Sequence, residues 1–193
     1  TVNTVVEVNP ASIADFAKEH GVNVVTDFNA VLKDPSIQGV VLCTPHTQHT
    51  DQIVAAANAG KHVFCEKPVG MNSSEFGDIV QAVDQSPGLL GVCYQNRLNP
   101  TSLRIRQELS EGELGKMLGM KAVLTWSRSG AYYTESPWRG RLATEGGSLL
   151  INQAIHTLDL MQWFAGGVTR VKGSFEKEDI VRIINEEGKD RKS

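Results

Sequence analysis

Cysteine is too scarce in this chain to hold it together. Three thiols, Cys43, Cys65 and Cys93, are widely spaced and odd in number, which suits neither a disulfide framework nor a zinc site. Each closes an apolar run, so all three read as reduced core thiols. No stretch approaches the ~18 consecutive apolar residues of a membrane span. The first residues, TVNTVVEVNP, lack the basic and then apolar regions of a secretory signal. Charge of one sign is also missing: 19 Lys and Arg against 22 Asp and Glu leave a net −3. Without a basic stripe interleaved with aromatics, nucleic acid is not an expected partner. A cytoplasmic enzyme with no membrane association is the expectation.

What the sequence does contain is alternation. Short β-branched or apolar runs at Thr4–Val8, 22–26, 39–43, 62–65 and 89–94 are separated by helical patterns over 11–20, 28–34, 51–59 and 73–85. Caps support these limits: Asn9 and Pro10 open the first helix and Gly21 closes it, Asp27 opens the second, and Asn72 with Glu75 has capping-box spacing. Strands alternating with helices of this length imply right-handed crossovers and an α/β, doubly wound parallel sheet. The continuous apolar runs predict strands buried on both faces. Ligands of such sheets bind beyond the carboxyl ends of the strands. That rim is where TPHTQH, EKP and QNR fall.

From Asn99 the pattern changes to a second, α+β region: a helix over 101–112, a longer amphiphilic strand over 116–126, an aromatic loop over 127–147, a helix over 148–164 and a strand over 168–175. The resulting division is 1–98 and 99–193. An open sheet in the second region would be costly to expose, so a homodimer or homotetramer is expected. No metal site is expected, because no second His or Cys stands at ligand spacing from His156.

Lys67 directly follows a buried strand, with Pro68 fixing the turn and Glu66 able to orient the ammonium. A lysine there can steady an alkoxide or polarise a carbonyl; it can equally be a surface lysine. On the later helix, Asn152, His156 and Asp159 are spaced i, i+4, i+7 and share a face, beside an apolar stripe of Ile151, Ile155, Leu158 and Met161. That pattern suggests an imidazole aimed into a cleft for proton transfer, or else a solvated helix face. The loop Thr44–Pro45–His46–Thr47–Gln48–His49 either contacts a nucleotide or only caps the next helix. Tyr132, Tyr133 and Trp138 suit either sugar stacking or packing.

Three segments together, CTPHTQHTDQIVAAANAGKHVFCEKPVGM, GVCYQNRLNP and GGSLLINQAIHTLDLMQW, resemble the glucose–fructose oxidoreductase/inositol dehydrogenase (Gfo/Idh/MocA) family. The resemblance runs from about Val5 to Val171. It implies a Rossmann domain binding NAD, with NADP left open, followed by an α+β domain with an open, mainly antiparallel sheet. Lys67 then matches the lysine that contacts substrate and nicotinamide ribose, and His156 the general acid/base. Glu7, Thr44, Pro45, His49, Glu66, Arg97, Trp138 and Arg139 fall at cofactor-lining positions, and Asn152 and Tyr132 at substrate positions. Asn152 stands where many members carry Asp. Glu7 aligns with the acid that bonds the adenosine ribose and so favours NAD. The implied reaction moves a hydride between nicotinamide and a sugar, polyol, inositol or sugar derivative; the competing reading is a regulatory member that binds nucleotide or sugar without turnover. The family's first strand and glycine-rich turn are not in this sequence, and GELGK has the wrong spacing to replace that turn. The C-terminal sheet is also short for the family, so the resemblance reads the chain as truncated at both ends.

Overall fold

The computed structural model describes residues 2–135, 138–147 and 149–166. The chain forms two compact units, one of Thr1–Cys93 joined by Thr144–Gly146, the other of Tyr94–Ala143 and Gly147 onward. The boundary expected after residue 98 lies a few residues beyond this division.

In the first unit, strands β1 (Thr4–Val6), β2 (Asn23–Val25), β3 (Gly39–Leu42), β4 (His62–Cys65) and β5 (Leu90–Val92) alternate with helices α1 (Ala14–His20), α2 (Phe28–Lys33), α3 (His46–Asn58) and α4 (Ser73–Asp84). All pairings are parallel, with registers such as Val5 opposite Val24 and Val41 opposite Phe64. The strands fall into two sheets, β1–β2 and β3–β4–β5. In a doubly wound sheet, the strand before β1 lies between β1 and β3; the described residues supply none, and the sheet is accordingly in two parts.

The local signals act as their chemistry requires. Asp27 accepts the Asn29 N–H at 2.9 Å, and Gly21 closes α1 at φ 63°. Asn72 Oδ1 accepts from Ser74 N and Glu75 N, both at 3.0 Å. Glu75 does not complete the expected box, because its Oε2 reaches back to Met71 N at 2.7 Å instead. Asn9 caps through its carbonyl, bonded by Ser12 N at 2.9 Å, and not through its side chain.

The core of this unit is Leu42, Ile53, Ala56, Val63, Cys65 and Ile79, between β3–β4–β5 and the helices α3 and α4. Ala56 and Ala57 let α3 approach its neighbours closely, as small side chains do. Gly88 leaves no room for a side chain, since a Cβ would sit 2.3 Å from the Lys61 carbonyl oxygen. Lys61 is itself buried and donates through Nζ to the carbonyls of Asp34 and Ile37, at 2.6 and 2.7 Å.

Two expectations need correction. The strands of the β3–β5 sheet are not buried on both faces: Val41 is 65% and Phe64 47% exposed. Both helices that enclose the core lie on the opposite face, so alternate side chains of β3 and β4 stay outside it. The thiols also differ from one another. Cys65 is buried, Cys93 half-buried and Cys43 exposed, Cys43 following the inward Leu42 in the alternation of β3. Burial pushes the Cys65 thiol up to about 12.

In the second unit, α5 (Pro100–Glu111) ends at Gly112, φ 78°. Residues 116–129 carry no regular structure, so the strand expected over 116–126 is not formed among the described residues. A lone strand has no partner for its backbone groups, and the second expected strand, over 168–175, lies outside the described residues. Short helices α6 (Gly130–Thr134) and α7 (Leu142–Glu145) interrupt the expected aromatic loop. The expected helix over 148–164 is two helices, α8 (Leu149–Asn152) and α9 (Ile155–Phe164), with a turn at Gln153–Ala154. No helix among the described residues is long and apolar enough to cross a membrane.

Candidate active site

In the first unit the rim segments beyond β3 and β4 come together. The helix α3 starts at His46, so most of the expected loop is helical and Pro45 is its N-cap. Thr44 Oγ1 donates to Gln52 Oε1 at 2.6 Å. His49 is fully buried, with Nδ1 2.6 Å from the Pro68 carbonyl oxygen and Nε2 2.8 Å from that of Thr44. Lys67 is half-buried between anchored neighbours. Before it, Glu66 N bonds Leu42 O at 2.9 Å. Glu66 turns its carboxylate onto the Lys67 backbone N–H, at 3.3 Å. After it, Thr50 Oγ1 donates to Glu75 Oε2 at 3.1 Å, the oxygen that also holds Met71 N.

The segment Thr144–Gly146 closes against this rim. The Glu145 carbonyl lies 3.0 Å from His46 Nδ1, and a Cβ on Gly146 would come within 2.5 Å of the Met71 side chain. Burial holds the His46 imidazole below its ordinary range, helped by the nearby charges of His49 and Lys67 and opposed by the Glu145 carbonyl. The sequence marks His46 only as part of its loop and does not mark Glu145, because the 99 residues between them carry no local signal.

Glu7 stands just past the end of β1. Its Oε1 accepts the Asn9 N–H at 2.9 Å, and its other oxygen has no partner among the described residues. A half-buried carboxylate with a spare acceptor at a strand end fits the hydroxyls of an adenosine ribose.

In the second unit, the turn at Gln153–Ala154 breaks the expected helix between Asn152 and His156. Asn152 Nδ2 reaches Tyr132 Oη at 3.4 Å. His156 is buried, at 8% exposure, and its ring meets Tyr94 edge-on with centroids 6.5 Å apart. Asp159 is equally buried, while Leu158 is 44% exposed. The polar stripe of α9 thus faces inward, while of the expected apolar stripe Leu158 is exposed and Ile155 and Met161 are half-buried. The reason is Arg97, 62 residues away, which grips both Asp159 oxygens, Nε to Oδ2 at 2.8 Å and Nη2 to Oδ1. The pair raises the Arg97 guanidinium above its ordinary value. Arg97 also lies over the rings of Tyr94 and Trp163, 5.6 Å from each centroid. Burial, reinforced by the Asp159 charge, pushes the Tyr94 phenol up.

A second cluster gathers around Tyr132. Arg139 lies 4.4 Å from its centroid and 5.3 Å from that of Trp138. Arg128, 5.1 Å from the Tyr132 centroid, donates to the buried Gln153 Oε1 at 3.0 Å. Arg128 and Gln153 escaped the sequence reading, since nothing local marks either one.

Residues 1–94 match the family described as "Oxidoreductase family, NAD-binding Rossmann fold". Residues 102–185 match the "GFO/IDH/MocA C-terminal domain". The chain belongs to the Gfo/Idh/MocA oxidoreductase family. Its Rossmann-type parallel sheet and NAD-binding domain are those of that family. Among Gfo/Idh/MocA-like relatives, "Oxidoreductase P35" of Formosa agariphila is 30% identical over 184 residues, 94% of this chain and 57% of the relative. Levoglucosan dehydrogenase of Pseudarthrobacter phenanthrenivorans is 27% identical over 86% of this chain and 43% of its own length. Among solved structures, levoglucosan dehydrogenase in complex with NADH and levoglucosan superposes with a TM-score of 0.74 at 28% identity, covering 85% of this chain and 45% of that one. The WlbA dehydrogenase from Bordetella pertussis, in complex with NADH and UDP-GlcNAcA, gives 0.77 at 28% identity over 84% and 46%. The chain spans about half the length of the curated relatives it matches.

Proposed function

We propose that this chain belongs to an NAD-dependent oxidoreductase acting on a secondary or anomeric hydroxyl of a sugar, polyol, inositol or sugar derivative. Residues 1–98 form part of its dinucleotide-binding domain, and 99–193 part of its substrate and oligomerisation domain. The observation that carries this reading is Lys67, emerging past the carboxyl end of β4 with backbone anchors before and after it, in a chain matched to one oxidoreductase family over nearly its whole length.

Glu7 would hold the adenosine ribose, and its charge disfavours a 2′-phosphate, which selects NAD over NADP. Thr44, Pro45 and Glu66 would line the same rim, and Arg97, Trp138 and Arg139 are the remaining positions that the family resemblance implies for the cofactor. The glycine-rich turn that cradles a pyrophosphate is not among these 193 residues. NAD, when bound, supplies the two-electron acceptor.

The chain's own residues handle the proton and the charge. His156 accepts the hydroxyl proton on its imidazole as the carbinol is oxidised. Lys67 Nζ, with three donors, stabilises the alkoxide that develops. Asn152 and Tyr132 orient the sugar. The exposed Leu118 and Val123, at 79% and 74%, support association into a homodimer or homotetramer through the second unit, and the three free thiols support a cytoplasmic setting.

The test is NADH formation by the full-length protein with inositols, hexoses and sugar nucleotides. Lys67→Ala and His156→Ala are each expected to lower kcat/KM by about 100-fold or more, with unchanged circular dichroism. Wild-type turnover in the absence of both side chains would refute the assignment. NAD binding without turnover of any substrate would favour a regulatory protein.

A further inference from the structure

We infer that His49 is a positioning residue, a brace whose imidazole ties the Thr44 carbonyl beyond β3 to the Pro68 carbonyl beyond β4 and so fixes where Lys67 stands. The inference rests on the role proposed above for Lys67.

The sequence places His49 among residues lining a cofactor, yet its ring is fully buried and presents nothing to a ligand. Both nitrogens instead face main-chain oxygens, at 2.6 and 2.8 Å. The ring can donate to either carbonyl, and in its doubly protonated form to both at once. Proline has no N–H, so the carbonyl is the only backbone group through which Pro68 can be tied down, and His49 holds it. Pro68 is bonded directly to Lys67. At the other nitrogen, Thr44 opens the segment that leads into α3, the helix that carries His49.

One side chain therefore joins the rim segments of two neighbouring strands at the residue next to the lysine. Thr50, the following residue, anchors the chain further along through Glu75 and Met71, while His49 ties Pro68 back to the segment beyond β3. Asn or Gln, with its single donor group on one arm, cannot donate from two opposite edges as the doubly protonated imidazole can. Losing the brace frees Pro68, and with it the direction of the Lys67 side chain, without removing any group that would touch a substrate.

A double-mutant cycle in the full-length protein separates this role from general support of the fold. His49→Gln is expected to lower kcat by about 10–100-fold where Lys67 is intact, the scale of a misplacement near 1 Å. In a Lys67→Ala background the same change should alter kcat by no more than about 2-fold, because its effect runs through the lysine. Equal losses in both backgrounds would overturn the inference, as would wild-type kcat in His49→Gln. Lys67→Ala by itself reports on the proposed function: if it leaves turnover intact, both readings fall, whereas a large loss there with an additive His49 effect overturns the brace alone. Running the cycle with His49→Asn as well guards against a single misfolded variant. Failure of both to fold, judged by circular dichroism, would show a need of the whole unit for the ring and would also overturn the positioning role.

Discussion

Replacing Asp159 by Asn should cost the protein far more than its place on a surface-length helix suggests. The carboxylate is held by two hydrogen bonds from Arg97, and its side chain is 6% exposed while that of Arg97 is 38% exposed. Breaking a fully buried ion pair from one side costs about 3–5 kcal/mol, and breaking an exposed one about 0.2–1 kcal/mol. Water reaches the guanidinium but not the carboxylate, so the loss should fall between these limits, at about 1.5–3 kcal/mol, the range for hydrogen bonds to charged groups. Urea unfolding of the full-length protein, followed by circular dichroism, measures it. The internal comparison is Glu108→Gln, which breaks the exposed i, i+4 pair with Arg104 and should cost about 0.3–0.5 kcal/mol. A second readout is Tyr94, whose phenol is raised first by burial and then by the Asp159 charge, with Arg97 opposing. In Asp159→Asn the second cause is gone and the opposing one stays, so an ultraviolet difference titration should find Tyr94 ionising at lower pH. If Asp159→Asn costs no more than Glu108→Gln, or Tyr94 does not move, the inward-facing polar stripe of α9 is not held as argued.

Other perturbations address the first unit. Ile53→Ala removes a fully buried side chain from between α3 and the sheet, and a stability loss of about 2–5 kcal/mol is expected in urea; a loss under about 1 kcal/mol would mean the core relaxes around the gap. His46 is held below its ordinary value of 6.5 chiefly by burial, so the unfolded chain takes up its proton first as pH falls. Stability should therefore be whole above pH 6.5 and decline below it, and thermal unfolding of His46→Gln should show a shallower decline. Equal pH slopes in the two proteins would exclude His46 as the cause.

Much of the first unit was legible because its signals are local. Strand limits follow from β-branched runs, and helix ends from Asp27, Gly21 and Asn72, residues whose own side chain or φ does the work. Lys67 and its neighbours are readable for the same reason, since a charged tripeptide at a strand end is a feature of consecutive residues. The second unit was read less well. Periodicity laid one helix over Asn152, His156 and Asp159, but it could not foresee a turn at Gln153–Ala154, whose Gln side chain is held by Arg128. Nor could it assign the faces of α9, because the inward side was decided by Arg97.

The sequence by itself determined the alternation of strands and helices, the parallel sheet and the family. Those rest on spacing, capping and order, which are properties of the chain before it folds. Only the tertiary structure decided which side of each element lies inside and which partners each candidate residue meets there. It left Val41 and Phe64 exposed, turned His156 and Asp159 inward, and set His49, fully buried, between two carbonyl oxygens. A side chain's burial and partners depend on what arrives from tens of residues away, and no local pattern encodes that arrival.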